Sequence, residues 1–221
     1  MSHTNRPALR PYSRAEYVSD AVVHISGLAA ALIGGPILIA MAAIWIGEAG
    51  VTTAMVIYVI SLVLMLLCSA LYNMVQVPAW GDRLRRIDQS AIYVKIAGTY
   101  TPFVALTAAN AGWFLAAIWG VAVTGAAVIL MAQGRVRLIS LTLYLGLGWA
   151  GAIWGGPLVF GLTGPGLTLL ASGGILYTAG VAFLLWERLP FHNTIWHIFV
   201  LTATVVCYAA IMVELWARIP A

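Results

Sequence analysis

Long apolar stretches separated by short polar breaks run through the whole sequence. A helix that crosses the hydrocarbon core of a membrane needs about 20 apolar residues. The uncharged run 138–186 is too long for one helix, and its glycine- and proline-rich segment 155–166 divides it in two. The predicted spans are 17–46, 51–75, 87–108, 112–133, two within 138–186, and 192–216. The pattern predicts an all-α fold, a seven-transmembrane helix bundle, with an N-terminal arm (1–16) and one membrane domain (17–221).

Composition limits where any chemistry can take place. Hydrophobic residues make up 62% of the 221 residues and charged residues only 8%, whereas a soluble domain carries about 25% charged residues. Seven spans leave only short loops, so no room remains for a catalytic domain outside the membrane. Cys68 and Cys207 both fall within apolar runs, where we expect core residues rather than a disulfide framework.

The arginines mark one side of the predicted membrane domain. Nine of the 11 Lys and Arg residues flank the predicted spans at the N-terminal arm and at alternate loops. They are Arg6, Arg10, Arg14, Arg83, Arg85, Arg86, Arg135, Arg137 and Arg188. By the positive-inside rule, the N-terminus is cytoplasmic and the C-terminus external. The net charge of +4 therefore indicates topology rather than a nucleic-acid partner, and no feature predicts a protein partner.

A small set of polar residues lies within the spans, where ionisable groups are expensive and usually face the bundle interior. Several occur as i, i+4 pairs and therefore share a helix face. The set comprises Asp20, His24, Ser69, Asn73, Asp88, Lys95, His192, Asn193 and His197. The alternating topology places the starts of odd spans and the ends of even spans in one leaflet, so we expect one cytoplasmic-side pocket.

Each of these residues also has a purely structural interpretation. Asp20 and Asp88 lie near helix starts, where an acid can cap the helix or pair with a loop arginine. A lone histidine such as His24 or His197 is more often a hydrogen-bonded packing residue than a metal ligand. Lys95 lies too deep to reach the interface, so we expect it to pair with an acid such as Asp88 or Asp20.

The segment 84–103 resembles the span 3 signature of the bacterial hemolysin III branch of the progestin and adipoQ receptor family. Segments 16–24, 69–73 and 191–200 resemble the family's other motifs, in the same order. The resemblance covers essentially the whole chain and implies seven spans with a cytoplasmic N-terminus. It also implies a zinc ion bound by one histidine on span 2 and two on span 7. An aspartate on span 3 would lie beside the zinc-bound water.

Residue by residue, the family pattern transfers only in part. Ser69 and Asp88 match the family's serine and aspartate, which the resemblance makes catalytic. Of the three expected metal ligands only His197 is a histidine, since Asn73 and Asn193 occupy the other two positions. Asparagine is a poor zinc ligand, so we expect a degraded zinc site and no other cofactor.

Two further residues offer ways to compensate for the lost ligands. His192 is adjacent to Asn193 and is a possible substitute ligand, although it lies about 100° around the helix. Lys95 occupies a position where relatives usually carry an apolar residue. We hypothesise that its ammonium replaces the missing metal cation and satisfies Asp88.

These observations leave several functions open for a multi-pass protein of the bacterial inner membrane. The resemblance implies a relation to zinc-dependent hydrolases of ceramide-like lipid amides, and the degraded ligands favour lipid sensing or membrane homeostasis instead. A pore-forming, cytolytic protein is one alternative, although a secreted toxin needs a soluble form. An ion or proton carrier is another, although the external half lacks a matching relay. In each leading interpretation the partners are membrane lipids.

Overall fold

The computed structural model describes residues 12–75, 77, 79–107, 111–132 and 137–219, and these form helices without any strand. The helices are α1 (Arg14–Met41), α2 (Ala49–Met74), α3 (Gly81–Leu106), α4 (Gly112–Met131), α5 (Arg137–Trp154), α6 (Gly156–Gly161), α7 (Gly164–Leu185) and α8 (His192–Trp216). A π-helical turn at Ala42–Ile46 extends α1. Seven helices are long, and the short α6 lies inside the predicted interruption of the 138–186 run.

Seven long helices match the predicted transmembrane bundle. Five of them are long and apolar enough to cross a membrane: α1, α2, α4, α7 and α8. The other two are α3, whose first turns are charged, and α5, whose apolar part Leu138–Trp154 is shorter. The described helices close a ring in chain order, with α3 drawn inward so that it packs against α2, α4, α5 and α8.

The distribution of side chains is that of a membrane protein. Large apolar side chains face outward, including Phe160 at 91% exposure and Ile44 at 76%. Several charged side chains are buried instead, among them Glu16, Asp20 and Lys95. A hydrocarbon environment favours this arrangement, because lipid solvates the apolar surface and the bundle interior must satisfy the polar groups. The chain is therefore a membrane-spanning helical bundle.

α1 and α3 both begin earlier than predicted, because their first turns are polar or charged. α1 begins at Arg14 rather than 17 because Ser13 and Glu16 form a capping box, with Ser13 Oγ accepting from the Glu16 N–H at 3.2 Å. α3 begins at Gly81 rather than 87, and Arg85 bonds Asp82 at 3.3 Å within its first turns. Hydropathy marks only the apolar part of a helix, so it misses charged turns that extend beyond it.

Some predicted features lie outside the described residues. They are the arm up to residue 11 with Arg6 and Arg10, the span ends at 108 and 133, and Arg135.

Close contact between α2 and α3 depends on Gly98. A Cβ atom at this position would lie 2.0 Å from Oγ and 2.7 Å from Cβ of Ser61, which is buried and donates its hydroxyl to the Tyr58 carbonyl at 2.8 Å. Small residues allow membrane helices to approach at such contacts, where packing rather than the hydrophobic effect stabilises the pair.

We expect Gly98→Ala to lower the thermal stability of the purified protein, by about 1–3 kcal/mol, because α2 and α3 must separate to accommodate the methyl group. The matched control is Gly120→Ala on α4, where an added Cβ meets no atom within 4 Å. Thermal unfolding of both variants in one detergent tests the difference. Equal unfolding temperatures for the two variants would show that the α2–α3 contact adjusts freely.

Candidate functional site

The start of α1, the end of α2 and the start of α8 meet at one end of the bundle. The Tyr17 hydroxyl donates to the Met74 carbonyl at 3.0 Å and joins α1 to α2. Glu16 joins α1 to α8, since its Oε1 accepts from the Phe191 N–H at 2.9 Å while its Oε2 accepts from the Ser13 N–H at 2.8 Å. One buried carboxylate therefore accepts hydrogen bonds at the starts of two helices, although Glu16 and Phe191 are 175 residues apart in the chain.

Asp20 is the centre of a polar cluster one turn further along α1. Its Oδ1 lies 3.2 Å from Nδ1 of His197. Its Oδ2 accepts from the Asn193 amide at 2.9 Å and also from the Tyr12 hydroxyl. The Asp20 side chain is only 3% exposed, so these bonds replace the hydration that the carboxylate has lost.

Amide groups continue the cluster from α8 to α2. Nδ2 of Asn193 also donates to Oδ1 of Asn73 at 3.0 Å, so both of its protons are used. Nδ2 of Asn73 donates to the Ser69 carbonyl at 2.9 Å. The two asparagines at the expected zinc-ligand positions are therefore bonded directly to each other.

His24 and Ser69 form the deeper part of the cluster. Nδ1 of His24 lies 2.7 Å from the Asp20 carbonyl, which can only accept, so this nitrogen carries a proton. Nε2 of His24 lies 3.2 Å from Oγ of Ser69. The rings of His24 and His197 pack edge to face, with centroids 4.4 Å apart. His197 thus lies beside the Asp20 carboxylate, and His24 lies beside His197 and the Asp20 backbone carbonyl.

Asp88 brings α3 into the same cluster. Its carboxyl group lies close enough to Ser69 and His197 for its charge to interact with both side chains. Ser69 therefore lies near both His24, whose Nε2 is 3.2 Å from its Oγ, and Asp88. Through Asp88, α3 contributes a second carboxyl group to the cluster.

Tyr12, which precedes α1, covers the outer face of the cluster. Its hydroxyl donates to Asp20, and its pKa lies well above the usual range because burial and the neighbouring negative charge both disfavour the phenolate. Tyr12 and Glu16 are site residues that the sequence reasoning missed. The Ser13-x-x-Glu16 capping pattern was the available signal for Glu16, and no pattern marked Tyr12.

The structure thus brings together most of the predicted site residues. The residues that meet in one cluster are Asp20, His24, Ser69, Asn73, Asp88, Asn193 and His197. His192 is not bonded into it, since its buried Nδ1 has no hydrogen-bond partner in the described structure.

Lys95 does not pair with either aspartate, so the prediction of an acidic partner was wrong. Its ammonium donates to the Tyr177 hydroxyl on α7 and lies 4.4 Å from the centroid of that ring. The Tyr177 hydroxyl lies 2.7 Å from Oγ1 of Thr204 on α8. Lys95 follows Asp88 by seven residues along α3 and therefore lies closer to the middle of the bundle. Its neighbours there belong to α7 and α8.

An apolar cavity of about 180 Å³ begins beside Lys95. α3, α5, α6, α7 and α8 form its walls. It starts at Ile92, one turn beyond Asp88, and at Trp196, the neighbour of His197. The cavity and the polar cluster are therefore adjacent and share two helices, α3 and α8.

The donors in the cluster do not fit a zinc ion. Both ring nitrogens of His24 and Nδ1 of His197 are engaged in contacts with protein oxygens. Within the described parts of the chain, no three His, Cys, Asp or Glu side chains are grouped so that they could hold a metal ion. Zinc sites need about four ligands, of which imidazole, thiolate and carboxylate are the usual ones. Neutral amides occupy two of the expected positions here.

We expect Asp20→Ala to lower the free energy of unfolding by about 3 kcal/mol, because it leaves the partners of a buried carboxylate unsatisfied. The control is Asp82→Ala, whose side chain is 84% exposed and whose loss should change stability by less than about 0.5 kcal/mol. Thermal and denaturant unfolding in one detergent compare the two. Near-equal stabilities would show that the cluster does not hold α1 against α8.

Comparisons with known proteins agree with the resemblance seen in the sequence. The family model described as Haemolysin-III related matches residues 14–208. Hemolysin-3 of Bacillus cereus is 36% identical over 200 residues, which cover 89% of this chain and 90% of the relative. The Hemolysin-3 homolog of Bacillus subtilis is 35% identical over 199 residues, covering 89% and 93%. The human Monocyte to macrophage differentiation factor is 34% identical over 131 residues, covering 56% and 52%. The chain belongs to the haemolysin-III related family.

Proposed function

We propose that this chain is a lipid-responsive protein of the bacterial inner membrane, in which a metal-free polar cluster replaces a zinc-dependent hydrolytic site. The observation that carries the proposal is the bonding of Asn193 to both Asp20 and Asn73. Amide groups at these two positions connect α1, α2 and α8 by hydrogen bonds, as a shared metal ion would connect histidines.

Replacing this hydrogen-bond network with a metal ion would cost free energy. A zinc ion at the expected positions would have to break the contacts of Asp20 with Asn193 and His197. Hydrogen bonds to a buried charge contribute about 1.5–3 kcal/mol each, and amides return little ligand energy to zinc. The cluster is therefore better suited to stabilising one arrangement of the helices than to activating water.

The cavity supports a response to lipids. On the α5 side its lining includes Gly148 and Ala152, and on the α7 side it includes Ala171 and Thr178, all exposed on the outer surface of the bundle. These small side chains leave an opening between α5 and α7 towards the bilayer, next to the Trp149–Thr178 hydrogen bond of 3.0 Å that joins the two helices. An apolar chain that leaves the bilayer finds an apolar wall there, so entry requires no aqueous route.

Ligand and cluster can influence each other through α3 and α8. α8 carries Asn193 and His197 in the cluster and Cys207 at the cavity, while α3 carries Asp88 and Lys95. If the helices can adopt two packing arrangements, a lipid that binds one arrangement more tightly shifts the equilibrium towards it. In this proposal, the hydrogen bonds of the cluster stabilise one arrangement, and the lipid changes the proportion of the two.

Zinc content is the direct test of the metal-free cluster. We expect the unmodified chain to purify without stoichiometric zinc and its unfolding temperature to be insensitive to chelator. The Asn73→His/Asn193→His variant should bind about one zinc per chain and gain zinc-dependent stability, roughly 4 kcal/mol when free zinc exceeds the dissociation constant a thousandfold. Elemental analysis and thermal unfolding measure both.

Zinc retained by the unmodified chain, together with zinc-dependent hydrolysis of a ceramide-like amide in vesicles, would overturn the metal-free proposal. Such a result would assign the chain to the hydrolase alternative, with Ser69 and Asp88 in the catalytic positions.

Native mass spectrometry tests the response to lipids. We expect the chain, released from bacterial-lipid nanodiscs, to retain a bound lipid. Ala171→Phe should reduce the retained fraction severalfold, because the ring fills the opening between α5 and α7. Ile175→Phe is the matched control, since Ile175 is one turn further along α7, is 60% exposed and does not line the cavity. Equal retention by the two variants contradicts this route of entry.

A further inference from the structure

Lys95 is a buried cation whose contacts in the described structure include no acidic side chain. Its side chain is buried on α3 at 5% exposure. Its polar contacts are the Tyr177 hydroxyl and the face of the Tyr177 ring. Tyr177 is neutral and passes its hydrogen bond on to Thr204. The positive charge is therefore only weakly balanced at a depth where ionisable groups almost always pair.

The ammonium group retains unused hydrogen-bond donors. A lysine side chain has three N–H donors, and the Tyr177 hydroxyl takes one. Lys95 also lines the cavity. Two donors are therefore available on Lys95, the one cationic side chain among the described residues that line the cavity.

The other hydroxyl groups of the lining donate to backbone carbonyls. Thr99 donates to the Lys95 carbonyl at 2.8 Å and Tyr144 to the Gln89 carbonyl at 2.8 Å. Tyr100 donates to the Gly148 carbonyl at 2.6 Å, and Thr178 donates to the Gly174 carbonyl at 2.8 Å. Most of the remaining wall is apolar. The cavity thus combines one cationic anchor with a surface suited to a hydrocarbon chain.

We propose that this cavity binds a single-chain lipid carboxylate. Lys95 holds the carboxylate through its two unused donors, and the hydrocarbon chain leaves between α5 and α7. This inference rests on the proposed lipid-responsive function and names the chemical class of its ligand. It assigns Lys95 a role separate from Asp88 and from the polar cluster.

Size and charge favour this class over other lipids. A volume of about 180 Å³ is below the roughly 300–1,000 Å³ of pockets for drug-sized ligands, so it accommodates part of one chain. A carboxylate carries one negative charge and two oxygen atoms, which match one ammonium with two unused donors. A phosphate carries more charge and one more acceptor oxygen, and phosphate sites usually supply arginine or several donors.

The experiment compares three probes that share the same polyene chain, and binding is read as energy transfer to that chain from tryptophans such as Trp149 and Trp196 of the cavity lining. They are the long-chain carboxylic acid, the alcohol and the alkyl phosphate. Each is titrated into the full chain in phosphatidylcholine nanodiscs, with empty nanodiscs as the background. We expect the acid to bind about tenfold or more tightly than the alcohol, since charge-assisted hydrogen bonds are made only with the acid.

Three variants assign this preference to the cavity. Lys95→Met should remove the preference for the acid and leave alcohol binding unchanged, while Lys95→Arg should retain it. Ala171→Phe should weaken binding of both the acid and the alcohol, and Ile175→Phe should leave both unchanged. Thermal unfolding establishes that each variant is folded, and the probe comparison on the unmodified chain needs no variant.

The outcomes separate this inference from the proposed function. Equal affinity for acid and alcohol, or a preference that survives Lys95→Met, overturns the assignment of Lys95 while the lipid response stands. Tighter binding of the alkyl phosphate overturns the choice of carboxylate. If none of the probes binds, both the inference and the proposed lipid response fail.

Discussion

Inside a membrane, a carboxylate persists only where the protein itself supplies its hydrogen bonds. Asp20 receives them from Tyr12, Asn193 and His197, at the point where the start of α1 faces the start of α8. Because no water replaces a lost partner at this depth, the bonds hold α1 and α8 in one relative position. Glu16 acts in the same way one turn earlier by capping the start of α8. The geometry of the polar end of the bundle depends on these two acids.

Two polar features in the bundle interior, the cluster around Asp20 and the side chain of Lys95, carry opposite charges. The cluster around Asp20 carries the negative charge, and Lys95 carries a positive charge beside the apolar cavity. The two features do not neutralise each other, since Lys95 bonds Tyr177 rather than Asp88. Each charge must therefore be satisfied where it lies. The cluster achieves this with protein groups, whereas the cavity retains donors that a ligand can use.

The site residues lie where the resemblance predicted them, but two of them are not the side chains that a zinc site requires. Ser69, Asn73, Asp88, Asn193 and His197 lie together at one end of the bundle. Two of these side chains are amides, however, and an amide pair bonds to itself and to Asp20. In this chain the backbone arrangement therefore holds a hydrogen-bond network in which amide groups connect α1, α2 and α8.

The sequence alone was sufficient to predict the seven long helices. It also predicted which polar residues share a helix face as i, i+4 pairs, and that these residues lie together at one end of the bundle. Hydropathy and helical periodicity are local properties, so they do not depend on how the helices are turned against one another. The charged first turns of α3 and the capped start of α1 escaped this reasoning, because capping and side-chain pairing extend a helix beyond its apolar run.

Only the tertiary structure decided which polar groups form hydrogen bonds with one another. Asp88 and Lys95 share nearly the same azimuth on α3, which made their pairing attractive, but α7 places Tyr177 beside the lysine from 82 residues away. Tyr12 reaches Asp20 for a similar reason, because the chain that precedes α1 packs against the first turns of that helix. Contacts between elements depend on helix rotation, depth and packing. These arise from the whole bundle, and no single segment of the sequence encodes them.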